Sequence, residues 1–145
     1  MSPSEIRLEL LRQHEEIRLI IAEVRKAVAR TGPSALNDVR ACTLHLADLV
    51  RRHNRQEEEM LQGLRTIDAW GSVRADFMSE QHAAEHQDLW GSLLDASLAL
   101  EVPSFQEVVL PAIDRLLQHM DREEKVGLSE NVLRDDSVVI DQCSG

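Results

Sequence analysis

The chain contains no tyrosine, which excludes chemistry that runs on a tyrosyl radical. Its two tryptophans, Trp70 and Trp90, are read as packing residues, since neither is placed to stack a base. The two cysteines, Cys42 and Cys143, form neither a disulfide framework nor a zinc-type spacing, so both are expected as free thiols. No apolar run reaches the roughly 20 residues needed to span a bilayer, so no membrane is expected and the chain should be soluble. The start, Met1-Ser2-Pro3-Ser4-Glu5, lacks the basic region and apolar stretch of an export signal, which points to the cytoplasm. Basic residues are the minority charge, 16 against 26 acids for a net charge of −10. They are scattered rather than gathered in a stripe, so nucleic acid is excluded as a partner. Neither a solenoid-type repeat nor a low-complexity segment occurs, and 145 residues suit one domain with a sizeable core.

What the chain does have is amphipathic periodicity. Ser2, Pro3 and Glu5 read as N-cap, first helical residue and capping-box partner of a helix running to about Arg30. Its inner stripe is Ile6, Leu10, His14, Ile17, Ile21, Val24 and Val28, in steps of three and four. Thr31-Gly32-Pro33-Ser34 breaks the chain, and a second helix is expected over about 35–64. A turn at 66–72 leads to a third helix ending near Leu100, burying Val73, Phe77 or Met78, His82, His86, Leu89, Leu93 and Ala96. A second capping box, Ser104 with Glu107, opens the fourth helix, where Pro111 predicts a kink or a late start; Gly127 ends it. Residues 128–145 read as a tail with a short helical turn at 130–133, and its apolar patch Val138-Val139-Ile140 either docks or lies loose. Four such segments with short connections predict an all-α, antiparallel up-down-up-down four-helix bundle over residues 1–127, with a short C-terminal tail over 128–145.

The stripes carry residues that do not belong in an aliphatic core. His53 and Glu57 follow Val39, Cys42, Leu46, Leu49 and Val50, and His119 and Glu123 follow Phe105, Val109, Ala112 and Leu116. Each pair is four residues apart, as are His82 and His86, so each aims two side chains the same way, into the bundle. A buried carboxylate is costly without a partner, and a metal supplies one. Imidazole and carboxylate together suit iron, zinc, copper or manganese; seven ligands exceed the needs of one ion but suit two ions sharing carboxylates. Ferritin-like bundles use Glu-x-x-His, and no histidine here has an acid three residues before it. The sixth histidine, His45, lies at the edge of its stripe and reads as a surface residue.

His14, His53-x-x-x-Glu57, His82-x-x-x-His86 and His119-x-x-x-Glu123 form a set that resembles the hemerythrin-like (His-His-Glu cation-binding) family over roughly residues 5–127. The resemblance implies two iron ions, one held by His82, His86 and His119, the other by His14 and His53. Glu57 and Glu123 would bridge them along with an oxo or hydroxo group, leaving one coordination position open. The classical oxygen carriers place an Asp five residues after the last histidine, whereas this chain has Glu at both +4 and +5. Four residues advance about 40° beyond a full turn and five about 140°, which favours Glu123 over Glu124. Glu58 is the corresponding reserve beside Glu57. The function implied is reversible binding of dioxygen or nitric oxide for storage, delivery or sensing. The alternative is a di-iron enzyme acting on peroxide or nitric oxide. An inert scaffold would leave the buried carboxylates unexplained.

Overall fold

The structure, a computed structural model, describes residues 1–62, 64–66, 80–130, 133, 135 and 138–140. Helix α1 spans Pro3–Val28, α2 Ala35–Gln62, α3 Glu80–Ser97 and α4 Val102–Val126. Strand β1, Leu64–Thr66, lies between α2 and α3, and β2, Val138–Ile140, comes last. The helices pack in a ring, α1 on α2, α2 on α3, α3 on α4 and α4 back on α1, which gives the expected four-helix bundle. None of the described helices is long and apolar enough to cross a membrane.

The capping box forms at the start of α1, where Ser2 Oγ accepts from the Glu5 amide at 3.2 Å and Glu5 Oε2 accepts from the Ser2 amide at 2.7 Å. Gly32 takes φ 109° in the α1–α2 turn, a conformation that side chains with a Cβ rarely adopt. The predicted second capping box does not form. The fourth helix starts earlier, with Glu101 as N-cap and Pro103 in its first turn, and Ser104 Oγ instead donates to Glu101 Oε1 at 3.2 Å. Proline fits there because first-turn amides have no helical partner to lose. Pro111 lies inside the continuous helix, so the late start is also overturned. The carbonyl it leaves unbonded is that of Glu107, and both residues are exposed, so water can satisfy it.

Two further findings concern the segments outside the four helices. Helix α2 ends at Gln62, two residues before the expected boundary, and the chain turns into β1. The apolar patch of the tail docks: β2 pairs antiparallel with β1, Leu64 opposite Ile140 and Thr66 opposite Val138. The only described hydrogen bond of the expected helical turn at 130–133 joins the Leu133 amide to the Ser129 carbonyl. The expected start of the third helix, with Val73, Phe77 and Met78, lies outside the described residues.

Buried apolar side chains fall into two clusters. The larger fills most of the bundle and runs from Ile17, Leu46 and Leu93 to Leu116 and Met120. The smaller closes one end and joins Ile6 and Leu10 of α1, Leu61 of α2, and Leu128 and Leu133 beyond α4. His14 sits between Leu10 and Ile17, Glu57 between Val50 and Leu61, and Glu123 between Met120 and Leu128. A polar layer therefore separates the two apolar clusters, near the end of the bundle where the tail packs.

Candidate metal centre

All seven residues singled out by spacing converge in that layer. His14, His53, Glu57 and Glu123 form one group, and His82, His86, His119 and Glu123 another; within each group one ligating atom per residue lies within 4.8 Å of all the others. Six of the seven are buried, and His86 is the most open, with 14% of its side chain exposed. Periodicity explains the convergence, because each helix turns its stripe inward and the ligand types replace aliphatic residues on that stripe. His45 is exposed and takes no part, and so are Glu58 and Glu59.

The two carboxylates reach both groups. Glu57 places Oε2 3.1 Å from His53 Nε2 and Oε1 3.2 Å from His82 Nε2. Glu123 places Oε1 3.4 Å from His14 Nε2 and 3.3 Å from His119 Nε2, and Oε2 3.4 Å from His82 Nε2. Imidazole nitrogens also face one another, with 3.1 Å between Nε2 of His14 and of His53, and 2.9 Å between Nε2 of His86 and of His119. Two neutral imidazoles bound through their outer nitrogens would direct lone pairs at each other, which is repulsive unless a proton or a cation lies between. Glu57 Oε2 and both oxygens of Glu123 are buried and accept no aligned hydrogen bond. Buried carboxylate oxygens without aligned donors, facing convergent imidazole nitrogens, suit a cation, so the residues present fit a metal.

Protonation follows the same balance of charge. Burial works to lower His82, but the adjacent Glu123 and Glu57 carboxylates outweigh it and hold the pKa up at about 10. Burial is the largest influence on His86 and, with His82 beside it, pushes the pKa down to about 3. Burial opposes and Glu123 and Glu85 favour the charged form of His119, and the carboxylates prevail to raise its pKa. Burial would raise Glu123, yet its contacts with His119, His14 and His82 hold it well below the ordinary carboxylate value.

Three partners behind the histidines were not apparent from sequence. Gln13 Oε1 accepts from His53 Nδ1 at 2.8 Å, while its amide nitrogen donates to Glu9 and Gln56. Glu85 Oε1 lies 3.0 Å from His119 Nδ1, and Arg122 donates to the other Glu85 oxygen at 2.6 Å. Glu124 faces His14 Nδ1 at 3.8 Å and is held by Arg18. Gln13 and Glu85 lie close enough behind His53 and His119 to set the tautomer and ring plane of each imidazole, so that Nε2 faces into the cluster, whereas Glu124 at 3.8 Å is beyond hydrogen-bond reach of His14. Each of the three contacts crosses between helices, and spacing within one helix carries no signal for it. The one available hint was polarity at the stripe's edge, with Glu85 between two histidines and Gln13 beside a third.

The chain matches the family model described as the hemerythrin HHE cation binding domain over residues 6–128. No curated protein and no solved structure matches it. With the His and Glu cluster in place and most of its length covered, the chain belongs to the hemerythrin HHE cation-binding domain family and is a metal-binding helical protein.

Proposed function

We propose that the chain is a non-haem di-iron protein that binds dioxygen or nitric oxide reversibly, for storage, delivery or sensing. The observation that supports this most is the sharing of both carboxylates, since Glu57 and Glu123 each lie between two sets of imidazoles. His82, His86 and His119 would hold one iron, His14 and His53 the other, with Glu57 and Glu123 between them. Two irons would supply the reversible electron exchange that a diatomic ligand requires. The chain's own part is to fix the imidazole planes through Gln13 and Glu85, and to exclude water with Ile17, Leu116 and Met120, all buried one turn from ligands. No tyrosine is available for radical transfer, and this apolar lining has no acid to deliver protons, which favours binding over turnover.

Metal analysis with an optical spectrum in air tests the reading. About two irons per chain and oxo-to-iron charge-transfer bands in the near ultraviolet are expected, with a visible band that appears under oxygen and vanishes under vacuum. Zinc or a single ion per chain would overturn the di-iron assignment. Sustained consumption of peroxide or nitric oxide would replace the carrier with an enzyme.

A further inference from the structure

An open groove of about 300 Å³ runs along the outer face between α2 and α3 and has His86 in its lining. Arg51 and Arg55 also line it, one helical turn apart on α2, and neither has a carboxylate partner among the described residues. Among the arginines whose side chains are described, all the others are engaged: eight pair with carboxylates and Arg40 donates to the Ala99 carbonyl. Like charges one turn apart disfavour the helix, so two neighbouring guanidiniums without a carboxylate partner among the described residues leave positive charge uncompensated in the groove, in a chain whose net charge is −10. Arg51 is also held in place, stacked 5.1 Å over the Trp90 ring.

We propose that this groove binds a small planar oxyanion, a monocarboxylate or bicarbonate, between Arg51 and Arg55 at the outer edge of His86. A guanidinium presents donors in a flat fork that matches two coplanar oxygens, and the stacked Arg51 has less freedom to lose on binding. Asn54 in the same lining adds a neutral donor. The volume is at the small end for ligand pockets, which sets the size of the guest. Glu58 at the rim pairs with neither arginine and leaves the lining with one net positive charge, so a monoanion is matched and a dianion is not. The subsite is built from arginines rather than from the metal centre, so it does not rest on the di-iron reading.

Trp90 fluorescence in a Trp70→Phe background reports the groove. Sodium acetate, propionate, bicarbonate and phosphate are titrated separately at constant ionic strength made up with chloride, and calorimetry on the chain with both tryptophans gives the same comparison without that substitution. A saturable response is expected, weakened about tenfold or more by Arg51→Gln and by Arg55→Gln, as fits the loss of a charge-assisted hydrogen bond. Arg52→Gln should leave it unchanged, because Arg52 pairs with Asp48 at 3.2 Å and does not line the groove. Response to the organic acids alone, or to bicarbonate alone, identifies the guest. The inference is overturned by a response that does not saturate, by equal affinity in all three arginine variants, or by tighter binding of phosphate. Iron content is measured on the same samples. Iron-free protein that still loses anion binding through the arginine changes would keep this site and discard the di-iron reading.

Discussion

At the cluster, one residue step is about 100° of helix rotation, and that rotation separates Glu57 from Glu58 and Glu123 from Glu124. Glu57 and Glu123 lie among the imidazoles, Glu58 is exposed, and Glu124 is turned aside to Arg18. Glu57→Gln and Glu123→Gln should therefore disrupt the centre, because a neutral amide is a poorer ligand and leaves cations less compensated. Glu58→Gln should change nothing measurable in metal content, and Glu124→Gln should retain the metal while releasing Arg18. Elemental analysis of the four variants checks this, and metal loss in Glu124→Gln with retention in Glu123→Gln would move the bridge to the five-residue spacing. Behind the ligands, Gln13→Leu and Glu85→Gln should keep both the fold and the ligand atoms yet lower metal affinity roughly 10- to 100-fold, because Nδ1 loses the partner that fixes its ring. Competition with a chelator measures that affinity; an unchanged constant in both variants would make Gln13 and Glu85 packing residues only.

Among the elements, the tail is the one whose role came from packing. Leu128 and Leu133 complete the small apolar cluster under the polar layer, and Arg7 donates to the Leu128 carbonyl at 2.9 Å. Asp135 accepts from the Ser4 amide and from Ser4 Oγ, both at 2.9 Å. Those bonds hold its carboxyl below the ordinary value of 3.8. A depressed acid stabilises the docked tail above its ordinary pKa, and that contribution is lost as pH falls below it. Protection of the 138–140 amides against hydrogen exchange should accordingly fall below about pH 4, and Asp135→Asn should lower it already at pH 7. Equal protection in the variant and the parent at neutral pH would show that the strand pairing alone holds the tail. Leu133→Ala should cost about 2–3 kcal/mol in chemical unfolding, because its end-of-bundle site can partly collapse around the lost side chain. A cost below about 0.5 kcal/mol would mean that Leu133 behaves as a surface residue.

For the whole molecule, the polar layer ties stability to metal. Buried carboxylate oxygens without aligned donors disfavour the metal-free fold, so chelation should lower the Tm, and metal at a thousandfold excess over its Kd should restore about 4 kcal/mol. Imidazoles must be neutral to coordinate, so occupancy should fall with acidification through roughly pH 5–6, protons displacing the ion. Full occupancy after equilibration with a chelator at pH 4, or a Tm indifferent to metal, would contradict this. The four helices and their inward histidines and carboxylates could be read from the chain alone, because helical periodicity is a property of consecutive residues and a ligand on an aliphatic stripe stands out by type. The same holds for the cap at Ser2 and for the inward turn of Glu123, which need only the geometry of one helix. The start of α4 at Glu101, the continuity of that helix through Pro111, the β1–β2 pairing, the contacts of Gln13 and Glu85 behind the histidines, and the groove that gathers His86 with two arginines lacking a carboxylate partner among the described residues were decided by the tertiary structure. Each depends on which surface of one element meets another, or on whether water reaches a backbone group, and a spacing within one segment records neither.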